Sequence, residues 1–244
     1  MPNSERLVSI MDISFVNSTR ENFIAEKIVP KLDEKQKCFI VTANPEIVME
    51  TRRNHHYKEI VQSATYVVPD GIGILLAARL KKKPLLDRIA GYDLMIQMLQ
   101  LANERGASCF FLGASKEVNE QVVQKVEQNY PNIRIAGNYH GYFDIGDSSV
   151  LERVKMNEPD FVFVALGYPK QEEWIYRHLH VFSKGIFIGL GGSFDVLTGN
   201  VKRAPNIWIK LHLEWLYRLL KQPSRWKRML PIISFLWLSV RGKS

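Results

Sequence analysis

Cysteine is nearly absent: Cys38 and Cys109 are the only two in the chain, and both sit in apolar, strand-like runs, KCFIVT and SCFFL. That usage excludes a disulfide framework and reads as two buried, reduced thiols. Long apolar runs are missing too. The longest near the end, Met229 to Val240, is a dozen residues interrupted by Pro231, short of the roughly 20 that cross a bilayer. Such a segment can lie on a membrane but not span it. The opening residues, MPNSERLVSIMD, lack the basic flank and apolar stretch of a signal peptide. With the reduced thiols, this points to the cytoplasm.

Several short chemical motifs are also missing. There is no Asp-x-Asp, no H-E-x-x-H and no paired C-x-x-C, so a dedicated metal site is not expected. His178 and His180 stand two apart on an expected helix, where their side chains diverge. No G-x-x-x-x-G-K-[ST] occurs, and the turn Gly189-Leu190-Gly191-Gly192 stops short of G-x-G-x-x-G. P-loop and dinucleotide readings are therefore weak, and no cofactor is expected. The lack of G-x-S-x-G leaves a hydrolase nucleophile elbow without support.

Acid is scarce in one region only. Residues 201–244 hold ten Lys/Arg and a single acid, Glu214, for a net of +9, while residues 1–200 net −1. The same segment carries four of the five tryptophans: Trp208, Trp215, Trp226 and Trp237. A basic block of this kind seeks a polyanion, whether nucleic acid, an anionic membrane surface or a phosphorylated substrate. Its arginines, Arg203, Arg218, Arg225 and Arg228, alternate with Trp, Tyr and Leu, the composition of an interfacial helix. Guanidinium forks also suit phosphate oxygens. Taken singly, each arginine reads first as a solvated surface charge; it is their alternation with aromatic and apolar residues that points to an interface.

The remainder is ordinary for a globular protein of 244 residues, 46% hydrophobic and 24% charged. Strand-like runs at 37–42, 65–68, 108–112, 133–136, 161–166 and 185–188 alternate with helical patterns at 45–53, 72–82, 92–104, 116–129, 149–155 and 170–179. This alternation predicts an α/β fold, a Rossmann-like, mostly parallel sheet flanked by helices. A domain over residues 1–200 is expected to carry a helical, basic appendage over residues 201–244, with helices starting near Asn206 and Ser224 after Pro205 and Pro223.

Parallel sheets bind ligands beyond the carboxyl ends of their strands, and the unusual residues fall there. Asp70 follows Pro69 and precedes Gly71 and Gly73; it is placed either as a general base in reach of small-residue space or as the cap of the next helix. Thr42 and Asn44 offer uncharged hydrogen-bonding groups, Asn44 doubling as a helix start before Pro45. The turn containing Gly191 and Gly192 is suited to closing backbone N–H groups around a phosphate. Gln171, in the run Pro169-Lys170-Gln171-Glu172, either initiates a helix or presents its amide to a ligand.

Taken together, the runs TANPEIVM at 42–49, VPDGIGI at 68–74, RIAGYDL at 88–94, FLGAS at 111–115, GYF at 141–143, VALGYPKQEEWI at 164–175 and GLGGSFDVLTGNVKRAP at 189–205 resemble the WecG/TagA/CpsF family of bacterial glycosyltransferases. The basic tail, EWLYRLLKQPSRWKRM, is similar to that family's C-terminal appendage. The resemblance implies an inverting, metal-independent transfer of an N-acetylmannosamine-type sugar. The donor it implies is a UDP-sugar and the acceptor N-acetylglucosamine on an undecaprenyl diphosphate carrier, in cell-surface polysaccharide synthesis. It implies Asp70 as catalytic base, Thr42 beside it, Gln171 in the pocket, Gly191 and Gly192 facing the nucleotide, and Arg218, Arg225 and Arg228 closing over the diphosphate.

The residues by themselves agree. Inverting transfer needs a base for the acceptor hydroxyl and positive charge for the departing diphosphate, and without an Asp-x-Asp pair the arginines are the natural source of that charge. The expected place is the inner face of the cell membrane, with an anionic lipid surface as partner and a homo-oligomer as a further use of the amphipathic tail. Two other readings stay open: a nucleic-acid-binding protein using the tail, although the body has no recognition motif for it, and an NAD-dependent oxidoreductase on the same core.

Overall fold

The computed structural model describes residues 7–210, 213–221, 234–235 and 237–239. It begins with an antiparallel hairpin, β1 (Leu7–Ile10) and β2 (Ile13–Val16), whose turn residues Met11 and Asp12 both take positive φ, 49° and 63°. Two consecutive positive-φ residues are what a tight hairpin turn demands. The hairpin was not anticipated, because Met-Asp lacks the Asn-Gly signature of such turns. Helices α1 (Arg20–Phe23) and α2 (Val29–Asp33), joined through a π turn, follow.

Strand and helix then alternate. β3 (Lys37–Ala43) leads into α3 (Pro45–Arg53) and α4 (His55–Gln62), and β4 (Tyr66–Pro69) into α5 (Ile72–Leu80) and α6 (Gly91–Arg105). β5 (Ser108–Gly113), α7 (Lys116–Asn129), β6 (Arg134–Tyr139) and α8 (Ser148–Met156) form the next units. β7 (Phe161–Ala165), α9 (Lys170–His178), β8 (Gly185–Gly189) and α10 (Ser193–Thr198) complete the body. The six strands β3 to β8 form one parallel sheet in the order β4-β3-β8-β7-β5-β6. This is the expected α/β architecture, with β8 and β7 at its middle and β3 beside β8.

The near-continuous apolar runs are explained by burial on both faces. Val162 and Val164 of β7, with Phe39 and Val41 of β3, join one cluster with Val48, Ile60, Ile74 and Trp174. Phe161 and Phe163, with Cys38 and Ile40, join a second cluster with Leu94, Met98, Val122 and Phe194. Each fully buried aliphatic or phenylalanine side chain contributes about 1.5–3 kcal/mol, and strands and helices share that burial on both faces of the sheet. Cys38 and Cys109 are buried free thiols, and burial pushes Cys38 up to about 12.

Beyond the body, α11 (Asn206–Lys210) starts where Pro205 predicts, and α12 (Glu214–Lys221) follows it, the Trp208 ring lying 5.7 Å from that of Tyr217. The helix expected near Ser224 lies outside the described residues. Phe235 is fully buried within the first cluster, Leu238 packs against it, and the Ser239 hydroxyl donates to the Phe235 carbonyl at 2.8 Å. Part of the apolar terminus is therefore spent on the body. Among the described residues no helix is long and apolar enough to cross a membrane.

Candidate active site

The carboxyl ends of β4, β3 and β8 meet around the start of α6. Asp70 leaves β4 with its N–H bonded to the Ala43 carbonyl at 3.0 Å, and its half-buried carboxylate faces the Gly91 N–H, 3.4 Å from Oδ2. That N–H belongs to the first turn of α6, whose N-cap Ala90 offers no side-chain acceptor. Helix starts carry unpaired N–H groups and partial positive charge, so the carboxylate sits where the fold supplies both. The following helix, α5, is capped by Gly71 without a side-chain bond. Asp70 thus caps the helix after next, and the capping alternative for α5 is set aside.

The glycine pair beside Asp70 has another purpose than admitting substrate. Gly71 has φ +91°, and a Cβ on Gly73 would come within 2.6 Å of Pro45 Cγ. The first makes the turn possible, and the second lets α5 and α3 start in contact. Space that the sequence suggested for a ligand is filled at Gly73 by Pro45.

Thr42 is buried, donates from Oγ1 to the Gly189 carbonyl at 3.0 Å, and lies against α6, since a Cβ on Gly91 would meet that oxygen at 3.2 Å. One hydroxyl thereby ties the ends of β3 and β8 beside the helix start that faces Asp70. Asn44 caps α3, its Oδ1 accepting from the Ile47 N–H at 3.0 Å.

On the other side of β8, Gln171 is buried and committed at both ends. Its Oε1 accepts from the Gly191 N–H at 2.8 Å, and its Nε2 donates to Glu172 Oε1 at 2.7 Å. The amide thereby positions the glycine turn. Gly191 in consequence does not offer its N–H to a phosphate, and the Ser193 N–H is bonded to the Leu190 carbonyl at 3.2 Å. Open space does lie where a Cβ on Gly191 would point.

Glu172 is the residue the sequence reading undervalued. It is fully buried, with the Tyr57 hydroxyl donating to Oε2 at 3.1 Å. Burial raises its carboxyl to about 7, against the opposing hydrogen bonds from Gln171, its own backbone and Tyr57. Tyr57 is pushed well above the usual phenol range, by burial first and by the Glu172 charge second, so it remains a donor. The signal was available: Trp174 and Ile175 are the obvious core positions of α9, and three residues back on a helix the same face holds Gln171 and Glu172.

Arg203 is brought to the first turn of α6, but there it meets Asp93 at 2.7 Å and stacks 4.8 Å above the Tyr92 ring. Arg20 approaches the same carboxylate at 3.7 Å. Arg203 therefore ties the root of the tail to α6. Arg218 lies on α12 with its side chain outside the description, and Arg225 and Arg228 fall outside the described residues. A second anchor was not anticipated: Arg88 pairs with Glu214, the tail's single acid, at 3.5 Å, both side chains nearly buried. No cluster of three or more His, Cys, Asp or Glu side chains placed to hold a metal occurs among the described residues.

The chain matches the family described as glycosyl transferase WecG/TagA/CpsF over residues 8–244. Among its relatives, the N-acetylglucosaminyldiphosphoundecaprenol N-acetyl-beta-D-mannosaminyltransferase of Bacillus spizizenii is 45% identical over 91% of this chain and 86% of its own. The protein of the same name from Bacillus subtilis is 45% identical over 92% and 87%. One from Staphylococcus aureus is 39% identical over 97% and 93%. None of these relatives is named as a nucleic-acid-binding protein or an oxidoreductase.

Proposed function

Since the chain belongs to the WecG/TagA/CpsF family of glycosyltransferases, we propose that it moves N-acetylmannosamine from a UDP donor to the N-acetylglucosamine of a diphosphoundecaprenol carrier, with inversion and without a metal. The names of relatives 39–45% identical over nearly the whole chain support the sugar and the acceptor. The observation that carries the mechanism is Asp70, a carboxylate at a strand end facing the first N–H of α6.

In this reading Asp70 takes the proton of the acceptor hydroxyl as its oxygen attacks the anomeric carbon. The new glycosidic C–O bond forms as the bond to the diphosphate oxygen breaks, and UDP leaves with that electron pair. Thr42 and Asn44 hold the strand ends that frame the reacting groups, and Gln171 sets the turn at Gly191 and Gly192 against the nucleotide. Positive charge for the leaving diphosphate comes from the tail, with Arg218, Arg225 and Arg228 as its sources. Arg203 and Arg88 fix the tail to the body so that those arginines arrive over the site. The enzyme works as a peripheral protein at the inner membrane face, where the lipid-linked acceptor is found.

Transfer from a panel of UDP-sugars to a lipid-diphosphate N-acetylglucosamine analogue tests this directly. UDP-N-acetylmannosamine is the expected donor, and Asp70→Asn is expected to cost about 10²–10⁴-fold in turnover. Full activity in Asp70→Asn, or no transfer from any UDP-sugar, would overturn the reading.

A further inference from the structure

The chain leaves Asp70 through Gly71 and returns to it at Gly91, whose N–H meets the carboxylate at 3.4 Å. The excursion between them runs out along α5 and back through residues 81–90. Nine helical residues at 1.5 Å each carry its tip about 13 Å from the base. On α5 the side chains of Leu76, Arg79 and Leu80 share a face, and all three are exposed. Leu80 is 52% and Leu86 65% exposed. Four of the five residues from 79 to 83 are basic, in a body whose net charge is close to zero.

The tip is held in place. Asn17 accepts from the Leu86 N–H at 2.8 Å and donates to the Pro84 carbonyl at 3.5 Å, tying the return strand to the end of the hairpin. The exposed leucines are thus presented from an anchored segment. The tip also adjoins the tail: two residues beyond Leu86, Arg88 is paired with Glu214 on α12, next to Trp215, which is 39% exposed.

We propose that Leu76, Arg79, Leu80, Lys82, Lys83 and Leu86 form a second membrane-contact surface, carried by the catalytic body itself and continuous with the tail, whose occupant is an anionic bilayer. Exposed leucines interleaved with lysines match the acyl boundary and the negative headgroups of such a surface, whereas a nucleic acid would leave the leucines without a partner. The inference rests on the lipid-linked acceptor of the proposed function.

The full chain and two double variants, Lys82→Gln/Lys83→Gln and Leu80→Gln/Leu86→Gln, separate the possibilities. Flotation with vesicles of phosphatidylglycerol and phosphatidylcholine, against phosphatidylcholine alone, reads binding. The lysine pair is expected to lose about tenfold or more in affinity for the anionic vesicles, and the leucine pair to bind both compositions less well. Transfer to an acceptor embedded in the bilayer should fall with binding, while transfer to a water-soluble, short-chain acceptor stays unchanged, which also shows that the variants fold. Unchanged flotation in both pairs would overturn the proposal. So would equal loss on the two acceptors with binding intact, or a dimer-to-monomer change in sedimentation as the only effect. A wild type inactive on both acceptors would refute the proposed function instead, leaving flotation to decide the surface.

Discussion

Two carboxylates stand near the same edge of the sheet, on opposite sides of the neighbouring strands β3 and β8, and their surroundings differ. Asp70 is half-buried and faces the start of α6, whose own N-cap residue Ala90 has no side-chain acceptor. Glu172 is sealed, hydrogen-bonded by Gln171 and Tyr57, and raised by burial to about 7. The first environment suits a group that must exchange a proton with something arriving from outside. The second suits a group that holds other groups still: Glu172 orients Gln171, and Gln171 places Gly191. Acidity and burial at a strand end are thus no guide to catalysis without knowing which face is open.

The comparison breaks first at Asp70. Asp70→Asn should lower turnover by about 10²–10⁴-fold and leave the thermal midpoint nearly unchanged. A large loss of stability with modest loss of rate would place Asp70 among the structural residues alongside Glu172.

Glu172 should show the reverse, through pH. Its folded carboxyl is raised above the ordinary 4.5, so the folded state holds the proton more tightly than the unfolded chain. Stability is then fully retained below about 4.5, falls as pH rises to about 7, and is level beyond, a change of about 3 kcal/mol. Glu172→Gln should flatten that profile in denaturant titrations at pH 5 and pH 8. An unaltered slope would mean that the carboxyl is more solvated than its geometry indicates.

Tyr57→Phe should cost about 1–3 kcal/mol at pH 8, where it leaves a charged Glu172 oxygen without its donor, and less at pH 5. At pH 5 the carboxyl left without its donor is protonated and neutral, and an unpaired neutral oxygen costs less than an unpaired charged one. Equal costs at the two pH values would uncouple the pair. The smallest effect is expected at the tail: Glu214→Gln should cost about 1–2 kcal/mol in global stability, because the Arg88 left without its charged partner is nearly buried. It should also speed proteolysis of the tail at low salt, because it removes one of the two charged anchors, Arg88–Glu214 and Arg203–Asp93.

What the sequence determined by itself is the architecture and the strand ends at which a candidate site is sought. Short, β-branched and aromatic apolar runs such as FVFVAL read as strands covered on both faces, and their alternation with amphipathic helices points to a parallel sheet whose chemistry lies at the strand ends. Asp70, Thr42, Asn44, Gln171 and the glycine turn were all found from that rule, because strand ends are local features. Their partners are not local. Only the tertiary structure decided that Asp70 addresses α6 instead of α5, that Pro45 occupies the space at Gly73, and that Gln171 is turned inward toward Glu172. It alone decided that Arg203 answers to an aspartate 110 positions away. Hydrophobic period is written along the chain, but a hydrogen bond or ion pair is set by which elements packing brings together, and that order, β4-β3-β8-β7-β5-β6, is a property of the whole fold.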